Sequence, residues 1–178
     1  MIFWNWVMEL GLAKGKVALG ECHLQAKELA NKVIERLKPV FPGAEFAHVG
    51  STAIQSIKAK PIADIAVCLT DISQAKAKRD ELELLGLILR GEDVPNQILY
   101  AMENEKGESI AFVHFCQKGD GRFEDYLFFR DFLSSHLEKA KEYEELKESL
   151  AKRFPNERKN YTAGKSEFVD SILSLRVR

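Results

Sequence analysis

The chain has 178 residues, 46% of them apolar and 30% charged, and a net charge of −1 at neutral pH. This length and balance fit one folded domain with a respectable core, and they exclude the dense basic surface that stable nucleic-acid binding demands. No apolar run approaches the ~20 residues of a membrane-crossing helix, and the three cysteines, Cys22, Cys68 and Cys116, cannot all pair within the chain, so reduced thiols in a cytoplasmic protein are the simplest reading.

At the N-terminus the basic residues follow the apolar ones and Glu9 interrupts them, a pattern of neither a signal peptide nor a span. Trp4 and Trp6 are expected to pack on the protein's own core rather than on lipid. Apolar residues at 22, 26, 29, 30, 33, 34 and 37 form one face of a helix that stops before Pro39 and Pro42. Residues 45–49 and 62–69 read as strands. The second is apolar on both faces, as a central buried strand would be, except at Asp64. Between them, GSTAIQSIKAK is a turn with a short helix or loop.

Ser73 is expected to cap a helix that runs to Leu85 and ends at Gly86, with a strand following over residues 87–90. Residues 97–102 and 108–116 flank a turn at Gly107 and extend the sheet. From Tyr126 to Leu150 apolar residues recur every three or four positions, and Ser134–Ser135–His136 divides that stretch into two helices, with Ser135 and Glu138 as a capping box. A last helix after Pro155 aligns Tyr161, Lys165, Phe168 and Ile172. The predicted class is α+β: a mixed sheet with flanking helices over about residues 10–118 and a helical part over about residues 123–174, within one domain.

Asp64 demands an explanation, because a carboxylate taken out of water costs several kcal/mol unless something compensates it. Gly50 and Ser51 follow directly on a strand, where backbone N–H groups and a hydroxyl can cradle phosphate oxygens. An aspartate on the neighbouring strand is then placed either to hold Mg²⁺ against those oxygens or to accept hydrogen bonds from the Gly50–Thr52 turn and fix its shape. Gly-Ser, twelve intervening residues and Asp64 reproduce the spacing of the nucleotidyltransferase signature. That signature continues Asp-x-Asp, but position 66 is Ala66, and two-metal chemistry needs more than one carboxylate. Lys60 is placed to pair with a phosphate, although a solvated lysine is the default. Arg130 either reaches the cleft or pairs with Asp131, and Tyr161 with Lys165 share a helix face that would close the cleft. Alternating charges between Glu138 and Lys159 read as a solvated helix. GLAKGKV is not a phosphate loop: its glycines are one residue too close, and Val17 replaces the metal-binding hydroxyl.

The stretches HVGSTAIQSIKAKPIADIAV, RGEDVPNQILY, VHF, YLFFRDFL and EYEELKESLAKRFPNERKNYTAGKSEF occur in this order. Together they resemble the GrpB family of small bacterial proteins, from near Leu10 to about Leu173. The resemblance implies a nucleotidyltransferase-like fold and marks His48, Gly50, Ser51, Thr52, Lys60, Pro61 and Asp64 in the first half. In the second half it marks His114, Arg130, Asp131, Tyr143, Lys147, Tyr161, Lys165 and Phe168. It also implies that Ala66 is usual, and that His114 stands near a third carboxylate position of active transferases, as metal ligand or proton carrier. Where many members carry further histidines, this chain has Ile110, Ala111 and Phe112.

The expected function is binding of a nucleotide or other phosphorylated small molecule in a cleft, with Mg²⁺ as the implied cofactor. Asp64 and His114 are the catalytic candidates, and His48, Gly50, Ser51, Thr52, Lys60, Arg130, Tyr161 and Lys165 the binding candidates. The alternative is a non-catalytic sensing or interaction module on the same scaffold.

Overall fold

The computed structural model describes residues 9–92 and 94–176; Trp4 and Trp6 lie outside them. Helix α1 (His23–Leu37) leads into β1 (Glu45–Val49), a 3₁₀ turn at Ser51–Ala53, and β2 (Ala63–Leu69). Two short helices, α2 (Ser73–Ala77) and α3 (Arg79–Leu84), precede β3 (Leu87–Gly91), β4 (Gln97–Glu103) and β5 (Ser109–Gln117). Four helices complete the chain: α4 (Arg122–Ser135), α5 (Leu137–Arg153), α6 (Arg158–Ala163) and α7 (Ser166–Leu173). The five strands lie in the order β1-β2-β5-β4-β3. Among the described residues only the β2–β5 pair is parallel, so the sheet is mixed.

One face of the sheet meets α1. The small Ala26 and Ala30 let the helix approach, and with Val33 and Leu37 they pack on Ile65, Val67, Val113 and Phe115. Phe115 is wedged between Phe41 and Tyr100, with ring centroids 5.2 and 5.6 Å away. Burying such side chains contributes about 1.5–3 kcal/mol each, which makes this layer the main source of stability. The opposite face is divided. At one end Ala66, Cys68 and Cys116 lie buried under Phe123 of α4. At the other end Asp64, Phe112 and His114 emerge from beneath that cover and line a cleft. β2 is therefore buried on both faces except where Asp64 stands, which answers why an apolar strand carries a charge.

Several local expectations are corrected. Asp71, not Ser73, closes the start of α2, because its Oδ1 accepts the Ser73 N–H at 2.9 Å, and the expected single helix breaks at Lys78. Chain division at residues 134–136 holds, but there is no capping box: the Ser135 hydroxyl bonds back to the carbonyls of Asp131 and Phe132 instead. The final helix is two helices. Gly164 lies between them, so close to Leu150 that a β-carbon would stand 2.5 Å from Cδ2. All three cysteines are free and buried. Among the described residues no helix is long and apolar enough to cross a membrane.

Candidate functional site

In the antiparallel register of β1 and β2, Val49 faces Asp64. Gly50 follows Val49 and turns with φ +71° and ψ −172°, a conformation only glycine adopts readily. The turn thus crosses directly over the Asp64 carboxylate. On the other side of β2 the parallel register sets Phe112 beside Asp64 and His114 beside Ala66. One diagonal step brings the His114 imidazole to the aspartate, and its Nε2–H donates to Asp64 Oδ1 at 3.0 Å. The Tyr126 hydroxyl lies 3.3 Å from His114 Nδ1 and donates to Gln97 Oε1 at 2.8 Å. The bond from Nε2 to Asp64 therefore orients the imidazole, with the Tyr126 oxygen beside Nδ1.

The cleft that opens on Asp64 has a volume of about 440 Å³. Lys60, Arg158 and Lys165 line it with Asp64, the single carboxylate among the described residues there, and Tyr126, Phe129, Tyr143 and Tyr161 supply aromatic walls. The Lys60 and Lys165 ammonium groups lie 5.6 and 4.8 Å from the centre of the buried Tyr161 ring, within cation–π range. Lys60 is thus a cleft wall, not a solvated lysine. Burial, with the Lys165 charge beside it, brings its ammonium down to about 8 against the pull of Asp64. Burial lowers Lys165 as well, partly offset by Asp64. For Asp64, burial pushes upward, but the His114 hydrogen bond and the charges of His114, Lys60 and Lys165 outweigh it and hold the carboxyl below its usual value. Burial pushes the Tyr143 hydroxyl up to about 12, the Ser51 hydroxyl opposing.

Of the residues singled out in the sequence, Gly50, Ser51, Thr52, Lys60, Asp64, His114, Tyr161 and Lys165 come together in this cleft. His48 and Arg130 do not. They lie behind the Gly50–Ala53 turn, where His48 Nε2 and Thr52 Oγ1 share a hydrogen bond of 2.9 Å and Arg130 Nη1 donates to the His48 carbonyl at 3.0 Å. Arg130 Nε also holds Asp131 at 2.7 Å.

Two further residues support the site: Arg158, which nothing in the sequence singles out, and Lys147, which the family resemblance marks. Arg158 reaches the cleft from the start of α6, anchored by hydrogen bonds to the carbonyls of Ala13 and Lys16. The glycine-containing loop rejected as a phosphate binder thus serves as its mount. Lys147 is 1% exposed within α5, a helix read as solvated. It donates to the Lys58 carbonyl, which steadies the segment that carries Lys60.

Mg²⁺ takes oxygen ligands and is often held by one or two carboxylates with the remainder from phosphates and water. Among the described residues no group of three His, Cys, Asp or Glu side chains is placed to hold a metal. Asp64 alone therefore fits one Mg²⁺ that shares a ligand's phosphates, not a two-metal centre.

A family model described as "GrpB protein" matches residues 16–175. A "Glutamate-rich protein GrpB" of Alkalihalophilus pseudofirmus is 30% identical over 171 residues, which cover 93% of this chain and 98% of the relative. The "UPF0157 protein YqkA" of Bacillus subtilis is 34% identical over 139 residues, 76% of this chain but only 40% of the relative. Among solved structures, GrpB from Enterococcus faecalis superposes with a TM-score of 0.78 at 24% identity, covering 88% of this chain and 95% of that one. The Cid1 poly(U) polymerase in its MgGTP-bound form gives a TM-score of 0.51 at 18% identity, over 78% of this chain and 44% of the polymerase. The fold is thus an α+β, nucleotidyltransferase-like one.

Proposed function

The chain belongs to the GrpB family, and we propose that its cleft binds a nucleotide or another phosphorylated small molecule, with Mg²⁺-assisted nucleotidyl transfer as the reaction the scaffold would carry. The observation that bears the most weight is the gathering of Lys60, Arg158 and Lys165 around one carboxylate within otherwise aromatic walls. Phosphate oxygens relieve the mutual repulsion of three cations, and aromatic walls suit the flat face of a base. That the polymerase of like fold is described with MgGTP supports the same ligand class. Asp64 would give Mg²⁺ one oxygen, and the bound ion would draw charge off the phosphoryl group under attack. Arg158 and Lys165, more than Arg130, stand with Lys60 to offset negative charge, and His114 is the proton carrier. The three buried, free cysteines accord with a cytoplasmic setting.

A second reading, a ligand-sensing or interaction module without catalysis, is favoured by one feature. Ala66, where a second carboxylate would stand, is sealed beneath Phe123. Thermal melts with the four ribonucleoside triphosphates and pyrophosphate, with and without Mg²⁺, test the binding; assay of pyrophosphate release tests the transfer. The expected result is a saturable rise in Tm that Lys165→Ala abolishes. No rise with any phosphate compound overturns the binding, and a rise without pyrophosphate release favours the module.

A further inference from the structure

Behind the Gly50–Ala53 turn lies a second cavity, of about 260 Å³, against the first turns of α1. His23, Lys27 and Asn31, four residues apart along α1, face it together with His48, Gln55 and Arg130. Among the described residues no carboxylate lines it, and Lys27 has no ion-pair partner. From this cluster and cavity we infer a second anion site, which takes a compact phosphate-class oxyanion and is separated from the main cleft by the Gly50–Ala53 turn.

The donors match such a ligand. Lys27 supplies a positive charge with no ion-pair partner among the described residues, and Arg130, whose Nε is already paired with Asp131, adds guanidinium N–H donors. Arg130 keeps Nη2 for the oxyanion, since Nε holds Asp131 outside the lining and Nη1 holds the His48 carbonyl. His23 Nε2–H donates to the Ile54 carbonyl at 2.9 Å, so the neutral ring offers no second donor, whereas His48 Nε2 can accept from the Thr52 hydroxyl and leave Nδ1–H as a neutral donor beside the Asn31 and Gln55 amides. Burial brings the His48 imidazole down to about 4 against the pull of Asp64, and the charges of Arg130, His23 and Lys27 add to that lowering. Lys27 and Arg130 thus face one cavity beside an uncharged His48, and an oxyanion between them is attracted by both. Thr52 lines both cavities, so an anion here and a ligand in the main cleft would press on opposite sides of one turn.

The protein has four histidines, placed as four reporters: His23 and His48 at this site, His114 in the main cleft, and His136 at the start of α5. Their imidazole NMR resonances are followed as inorganic phosphate is added against matched chloride. Saturable shifts at His23 and His48 are expected, weakened at least tenfold by Lys27→Glu, retained by Lys27→Arg and untouched by Lys165→Ala. Lys27 is exposed on α1, so both charge variants will fold. Shifts confined to His114 would place phosphate in the main cleft alone, overturning this site while leaving the proposed function standing. Shifts that never saturate, that include His136 equally or that survive Lys27→Glu overturn it too. Equal affinity for acetate overturns the assignment to phosphate.

Discussion

Gly50 lies so close to Asp64 that a β-carbon on it would stand 2.8 Å from Oδ2 and 3.1 Å from the aspartate Cβ. The glycine is required twice, for its backbone conformation and for its missing side chain. Gly43 separates the two causes, because it too has a positive φ, +82°, but nothing within 4 Å of its would-be β-carbon. Gly43→Ala should cost about 1–2 kcal/mol from backbone strain alone. Gly50→Ala should cost about 2–4 kcal/mol, strain plus overpacking. Denaturant melts of both variants measure the difference, and equal losses would show that contact with Asp64 is not what fixes Gly50.

Asp64 plays opposite parts with and without metal. In a cleft of cations it is the one group that repels a phosphate, so Asp64→Asn should tighten metal-free ligand binding by a factor of roughly 3–10, the order expected for one screened like charge. The same variant should lose any gain in affinity that Mg²⁺ confers on the wild type, since an amide is a poor substitute for the carboxylate. Calorimetric titration of a nucleoside triphosphate in EDTA and in Mg²⁺ reads both signs. Weaker metal-free binding by Asp64→Asn would mean that the carboxylate contacts the ligand through a proton or positions His114 instead.

The meeting of Gly50 with Asp64 was legible in the sequence, because a strand, a Gly-Ser turn and an apolar strand broken by one aspartate admit few arrangements. The ends of β3 and β4 were legible for a similar reason: Gly86 and Gly107 adopt φ of +82° and +73°, which their neighbours could not. Arg158 was not legible. Its place depends on carbonyls of residues 13 and 16, about 140 positions earlier, and no local pattern records such a contact. Lys147 is a different case. Ala140, Tyr143, Lys147 and Leu150 are the buried residues of α5, spaced by three or four, so the lysine fell on the apolar face in the sequence itself. The family resemblance marks Lys147, but the alternating charges around it suggest a solvated face, and of the two only the resemblance agrees with its burial.

Position 66 decides whether the second carboxylate of a two-metal site can be restored. Ala66 shares a strand face with Asp64, but it is fully buried among Val49, Cys68, Cys116 and Phe123. Ala66→Asp therefore places a charge in an apolar layer, not in the cleft, and should cost on the order of 3 kcal/mol or more. Mg²⁺ should not restore that loss. A Tm of Ala66→Asp that climbs with Mg²⁺ while the wild type stays flat would show that this face does open onto a metal site, and would revive two-metal chemistry.

Lys147 gives the protein a pH dependence whose sign can be worked out. Burial, joined by the Lys165 charge, brings its ammonium down to about 7 from an ordinary value of 10.5. Between those values the unfolded chain holds a proton that the native protein has lost. Stability therefore rises with pH across that window, by at most about 1.4 kcal/mol per unit for one group. Lys60, brought down to about 8, adds its share only toward the upper part. Above pH 9 the buried cysteines act the other way: burial pushes Cys22 up to about 11 and Cys116 up to about 12, so their thiolates form in the unfolded chain first. The clean interval is pH 7.0–8.5. Wild-type unfolding free energy should increase across it, and Lys147→Met, which keeps the chain length and removes the charge, should flatten the increase. An unchanged slope in Lys147→Met would assign the proton to another group and leave Lys147 charged where it is buried, paired with the Lys58 carbonyl alone.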